Sequence, residues 1–243
     1  MKVELKAGQR IVFIGDSITD AGRDYGNAYH LGDGYAHIAG SLLMGRYAEL
    51  QLEVYNRGIN GHKLKDLADR WQKDCLALQP DILSIMIGIN DIWHHRSAGQ
   101  PIDAAYLAEF KKTYCRILTE ARAENPELQV VLLQPFLLPI PEDHLEWEQE
   151  LQPMSALIED LAQEFSASYI RLHDEFKELV KQVPAKHFTI EDGVHPTRIG
   201  HGVERPDMGA VAVFRDRQAF ARFFGDEVKR WRAIIEAEKL SSH

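Results

Sequence analysis

Basic residues are too few here for a nucleic-acid binder. Lys and Arg total 28 against 37 Asp and Glu, a net charge of −9, and no basic stripe is present to meet a phosphate backbone. Long apolar runs are also missing. None approaches the ~18 residues of a membrane span, and the opening MKVELKAGQR has no apolar core of a signal peptide. The expectation is a cytoplasmic protein with neither a nucleic-acid nor a membrane partner. Cysteine is scarce: Cys75 and Cys115 are the only two. Both fall in helically periodic segments and read as buried thiols rather than a disulfide, and two cysteines make no metal framework. There is no G-x-S-x-G elbow, so the α/β-hydrolase fold is not supported. At 243 residues the chain can bury a large core without a disulfide or metal staple, and a single domain over 1–243 is expected.

What is present is a steady alternation of short apolar runs and helical patterns. RIVFI (10–14), LEVYN (52–56), DILSIMI (81–87), QVVLLQPF (129–136) and SYIRL (168–172) read as five buried strands. Helical periodicity covers 35–50, 64–78, 103–125, 146–166 and 173–183. In the third of these, Asp103 falls in the acidic first turn and Pro126 lies just past the end. Pro153 marks a break or a first turn in the fourth. LPIPED (138–143) reads as a loop. Strands separated by helices predict a parallel sheet covered on both faces, a three-layer α/β/α sandwich of flavodoxin-like type. Ligands then sit beyond the carboxyl ends of the strands.

Four polar clusters follow those strand ends: Gly15-Asp16-Ser17, then NRGINGH (56–62), then Gly88-Ile89-Asn90-Asp91, and finally Asp192-Gly193-Val194-His195-Pro196. A parallel sheet would gather all four at one edge. Their residue types suit ester hydrolysis. A serine hydroxyl needs an imidazole to take its proton and a carboxylate to hold that imidazole in the right tautomer. Ser17, His195 and Asp192 supply these, and the Asp-to-His spacing of three lets one tight turn present both. The backbone N–H groups of Ser17 and Gly61 and the side-chain amide of Asn90 are candidate donors to an oxyanion. Each has a plainer role. Ser17 suits a helix N-cap, Asn90 a turn, and Gly61 a tight bend.

GDSITD, NRGINGH, GIND and DGVHP together resemble the four blocks of the GDSL, or SGNH, hydrolase superfamily, in the expected order between about residue 10 and residue 201. The resemblance implies Ser17 as nucleophile, Asp192 and His195 as the rest of the triad, and Ser17, Gly61 and Asn90 as the oxyanion hole, with Gly58 in reserve. It implies a flavodoxin-like sandwich with no metal or organic cofactor. FIGDSITD, GYAHIAGSLL and SIMIGINDIW are similar to the carbohydrate-esterase branch, with its acetylxylan-type esterases. The function so implied is removal of short acyl groups, acetyl above all, from a small-molecule or oligosaccharide ester. The rival readings are a lipid-type esterase, lysophospholipase or acyl-thioesterase on the same fold, or a non-catalytic carbohydrate-binding module. Homo-oligomers are plausible for this branch.

Other residues carry expectations of their own. Trp93 is either a core ring or a surface for stacking on a sugar. Tyr25, Tyr29 and His30, in the loop after Ser17, are candidates to line a substrate cleft. Asp16 is expected to bond local backbone, and Asp20 and Asp91 to be structural. His62, His94 and His95 fit no standard metal spacing. From about residue 202 the chain departs from the family pattern. ERPDMGAVAVFRDRQ intervenes, and then Phe220, Phe223, Phe224, Val228, Trp231 and Ile235 predict an amphipathic terminal helix.

Overall fold

The computed structural model describes residues 3–141 and 144–203; the terminal helix and extension expected beyond residue 203 lie outside them, as does the end of the LPIPED loop. Five strands form one parallel sheet: β1 (Arg10–Gly15), β2 (Glu53–Gly58), β3 (Ile82–Met86), β4 (Gln129–Leu133) and β5 (Ser168–Ile170). Their order is β2-β1-β3-β4-β5, that of a flavodoxin-like sandwich. The register sets Val12 beside Tyr55 on one side and Leu83 on the other. The inner strands are unbroken apolar runs because helices cover both faces. Ile11–Ile14 and Ile82, Leu83 and Ile85 are no more than 2% exposed. From β1 the chain goes to β2 on one side, then returns to β3 on the other. The connections leaving β1 and β3 therefore diverge, and a crevice opens at their carboxyl ends.

The helices are α1 (Ser17–Asp20), α2 (Tyr35–Arg46), α3 (Leu64–Asp69), α4 (Trp71–Asp74), α5 (Ile89–Ser97), α6 (Ala104–Glu124), α7 (His144–Glu164), α8 (Leu172–Leu179) and α9 (Arg198–Val203). None of the described helices is long and apolar enough to cross a membrane.

Several elements differ from the sequence reading. The segment 64–78 is not one helix: α3 and α4 are separated at Arg70 (φ −106°, ψ 8°), and a 3₁₀ turn follows over Leu76–Leu78. Of the apolar face Leu64, Leu67, Trp71 and Leu78 that its periodicity predicts, the first three are buried on the two sides of the break and Leu78 is half-buried. The helix from Tyr35 stops at Arg46, and a 3₁₀ turn over Ala48–Leu50 leads into β2. There the carbonyl of Leu50 accepts from Gly8 N–H at 2.7 Å. Asp103 is the N-cap of α6, not a first-turn residue; its carboxylate accepts from Tyr106 N–H at 2.8 Å. Pro153 lies inside α7 without ending it. The carbonyl left without its helical partner, that of Gln149, is on the exposed side, where water can satisfy it. Trp147, Leu151, Met154 and Ile158 hold both halves in the core. Cys75 is buried and Cys115 only half-buried; both are free thiols. The helix α5 is absent from the sequence reading.

Candidate active site

Ser17 stands where β1 meets solvent, and its neighbour takes the capping role. Asp16 is the N-cap of α1: its Oδ1 accepts from Ile18 N–H at 3.0 Å. The Ser17 hydroxyl is free for other work, and it lies 2.7 Å from Nε2 of His195. The helix it opens is a single turn, so the dipole gives little there. Stabilisation of an anion would come from the N–H groups themselves.

His195 is carried by a tight loop. The carbonyl of Ile190 accepts from Gly193 N–H at 3.0 Å, and Ile190 N–H donates to the carbonyl of His195 at 2.9 Å. Inside that loop Asp192 does two things. Oδ1 accepts the backbone N–H groups of Val194 and His195, each at 2.9 Å. Oδ2 lies 2.6 Å from Nδ1 of His195. Burial works against the charged carboxylate, but the bonds from the imidazole and the two N–H groups outweigh it and hold Asp192 below its ordinary range. The Nδ1 proton faces the carboxylate, so Nε2 faces the serine as an acceptor. Gly193 gives the loop its turn: its φ is +69°, and a Cβ there would sit 2.3 Å from the carbonyl of Leu138 and 2.9 Å from Nδ1 of His144. Leu138 N–H in turn donates to the carbonyl of Gly193 at 2.7 Å.

The candidate oxyanion donors converge on the same place. Ser17, Gly61, Asn90, Trp93 and His195 line one cleft of about 500 Å³, with Ala21, Gly22, Asn60 and His94 completing it. A larger hollow of about 940 Å³ lies at the opposite end of the sheet, around Gln9, Asp81 and Gln129, away from all of them. Gly61 (φ +74°) turns the chain where its missing Cβ would meet nothing within 4 Å. Asn90 lies in the first turn of α5, and its Nδ2 spends one proton on the carbonyl of His62 at 3.2 Å. Gly58, held in reserve, has its N–H engaged by Oδ1 of Asn56 at 2.8 Å.

Trp93 is half-buried at the edge of the core. It lines the cleft and also packs edge-on to Trp147, with ring centroids 5.6 Å apart and 6.0 Å to the His195 ring. Arg96 ties α5 to Glu146 and Glu150 of α7, which holds that pair in place. Tyr25 and Tyr29 are not among the residues lining the cleft. The Tyr25 hydroxyl donates to Asp20 and its ring lies under Arg23. Tyr29 packs on Tyr55 and is 70% exposed. His30 takes the N–H of Asp24. The three histidines of the metal question are spread out: His94 faces the cleft, His95 bonds the carbonyl of Gln100, and His62 bonds Arg70.

Three residues given no role in the sequence reading shape the site. Asn56, fully buried, donates to the carbonyls of Thr19 (2.6 Å) and Leu31 (2.7 Å) and so ties β2 to the loop around Ser17. Arg23 donates to the carbonyl of Gly58 at 2.8 Å. Arg70 reaches in from the α3–α4 break. Asn56 opens NRGINGH and was visible as part of a block; the two arginines carry no local signal. Asp91, next to Asn90, is 1% exposed; Oδ2 accepts from Leu64 N–H and Oδ1 from the Tyr106 hydroxyl. Burial pushes its pKa up to about 6 against those bonds.

Known proteins share this frame. An acetylxylan esterase from Geobacillus stearothermophilus is 33% identical over 208 residues, 82% of this chain and 91% of its own length. The crystal structure of an acetylxylan esterase from that organism, Axe2, superposes with a TM-score of 0.74 at 29% identity, over 89% of this chain and 98% of that one. Two further Axe2 structures are of catalytic mutants, one with a serine and one with an aspartate replaced by alanine. A GDSL-like lipase from Parabacteroides merdae gives a TM-score of 0.79 at 34% identity, over 87% and 98% of the two chains. Residues 13–203, a span that takes in all four polar clusters, match the GDSL-like lipase/acylhydrolase family. On sequence and on backbone alike, the chain belongs to that family and is a carboxylic ester hydrolase.

Proposed function

We propose that this protein removes short acyl groups, acetyl above all, from carbohydrate esters through an acyl-enzyme on Ser17. The observation that carries the reading is the continuous line from Ser17 Oγ to His195 Nε2 (2.7 Å) and from His195 Nδ1 to Asp192 Oδ2 (2.6 Å) at the mouth of the cleft. Ser17 attacks the ester carbonyl while His195 Nε2 takes the hydroxyl proton. Asp192 steadies the imidazolium and is not itself protonated. The oxyanion is held by the N–H groups of Ser17 and Gly61 and by the second amide proton of Asn90. Collapse breaks the bond to the alcohol, which leaves with the proton from Nε2. Water then gives its proton to His195 and attacks the acyl-enzyme, and the acid leaves as Ser17 regains its proton.

The carbohydrate part of this reading is supported by the similarity to acetylxylan esterases and by Trp93, whose ring lies in the cleft beside His195. The test is acetate release from acetylated xylo-oligosaccharides and simple sugar acetates, with a long-chain ester alongside. Preference for the sugar acetates is expected. Activity rising steeply with acyl length would replace this reading with a lipid-type esterase.

A further inference from the structure

Arg70 sits at the break between α3 and α4, outside all four polar clusters. Its guanidinium reaches four acceptors. Nη2 donates to the carbonyl of Gly15 at 2.9 Å, Nη1 to the carbonyl of Arg57 at 2.7 Å and to Asp74 Oδ2 at 3.1 Å, and Nε to His62 Nδ1 at 3.2 Å. These fix different parts of the site. Gly15 is two residues before Ser17, at the end of β1. Arg57 is at the end of β2, where the chain turns toward Gly61. His62 follows Gly61 directly, and its carbonyl receives the Asn90 amide at 3.2 Å. Burial and the adjacent guanidinium lower the His62 pKa, which keeps Nδ1 available as an acceptor.

We propose that Arg70 is a positioning residue for the oxyanion site, setting Gly61 and Asn90 relative to Ser17 through the ends of β1 and β2 and through His62. The proposal rests on the roles given above to Ser17, Gly61 and Asn90. Its physical basis is the planar fork: five donors in fixed geometry can hold the carbonyls at two adjacent strand ends and His62 at once, which a single ammonium on a flexible stem cannot do. Donors to an oxyanion act only when fixed in advance at the right place, and a displacement of about 1 Å costs on the order of 10²-fold in rate.

The test is Arg70→Lys, alone and combined with Asn90→Ala, assayed on p-nitrophenyl acetate with thermal melts alongside. Alone, Arg70→Lys should lower kcat on the order of 10²-fold while KM stays within about twofold and the pH profile keeps its shape. In the Asn90→Ala background the same change should cost less, on the order of 10-fold, because the donor it positions is already gone. Unchanged kcat in folded Arg70→Lys, a loss confined to KM, or an equal cost in both backgrounds overturns the proposal. If Arg70→Lys does not fold, His62→Ala removes one acceptor and spares the ties to Gly15 and Arg57. It should lower kcat about tenfold at steady KM, and full kcat there overturns the proposal as well. Ser17→Ala separates the two levels: if it stays active, the function reading itself fails, whereas an inactive Ser17→Ala beside an unimpaired Arg70→Lys removes only the role of Arg70.

Discussion

Ser17 Oγ and His195 Nε2 lie 2.7 Å apart although 178 positions separate them in the chain. Asp16, not Ser17, caps α1, so the serine can be removed without uncapping the helix. Ser17→Ala should lower kcat by on the order of 10⁴ or more and shift stability by no more than about 0.5 kcal/mol. Ester hydrolysis and a thermal melt on the same sample check both halves.

Gly61 and Asn90 should respond differently. Asn90→Ala deletes a donor and should cost ~10²–10³ in kcat. Gly61→Ala keeps its N–H, and the added methyl meets nothing within 4 Å. Only the left-handed backbone (φ +74°) resists it, at about 1–2 kcal/mol. Its kcat should therefore stay within about tenfold of wild type. A larger loss in Gly61→Ala than in Asn90→Ala would contradict the assignment of donors.

Gly193 is the contrasting glycine. A Cβ there would press on the carbonyl of Leu138 and on His144, which wedge the loop bearing Asp192 and His195. Gly193→Ala should destabilise by about 2–4 kcal/mol and reduce kcat with it. Denaturant melts read the first effect and turnover at saturating ester the second.

Asp91 gives a pH signature. Its folded pKa, about 6, lies above the unfolded value of about 3.9. The folded state therefore holds the proton more tightly, and the stability this contributes is present below about pH 4 and lost as pH rises through about 6. The gap corresponds to about 3 kcal/mol. Asp91→Asn should flatten the fall in melting temperature between pH 4 and pH 7 relative to wild type. Because the amide sets an NH2 in place of one of the two oxygens that accept from Leu64 N–H and the Tyr106 hydroxyl, the variant should also be less stable at pH 4. Parallel pH–melting curves for the two proteins would refute this.

Much of the fold was open to reading because parallel strands buried on both faces must be apolar runs, and all five runs became strands. Helix ends were harder. Pro153 reads locally as a break or a first turn, but burial of Trp147, Leu151, Met154 and Ile158 carries α7 through it. The helix α5 overlaps the GIND block, and its local helical signs are Asp91 in the first turn and His94, His95 and Arg96 in the last. Chain proximity to Ser17 points Tyr25 and Tyr29 toward the cleft. Their rings went instead to Arg23 and Tyr55, contacts that no spacing rule encodes.

By itself the sequence determined the strand–helix alternation, hence the sheet, and the four polar clusters with their chemical types. It did so because local pattern and strand-end position are properties of consecutive residues. Which atoms meet was decided only by the tertiary structure. That Ser17 faces His195, that Asp16 takes the cap, and that Arg70 binds the ends of two strands all depend on where the folded backbone sets each side chain. The contacts of Ser17 and Arg70 join residues remote in the chain, and they form only once the sheet has closed and the core has fixed where each loop ends.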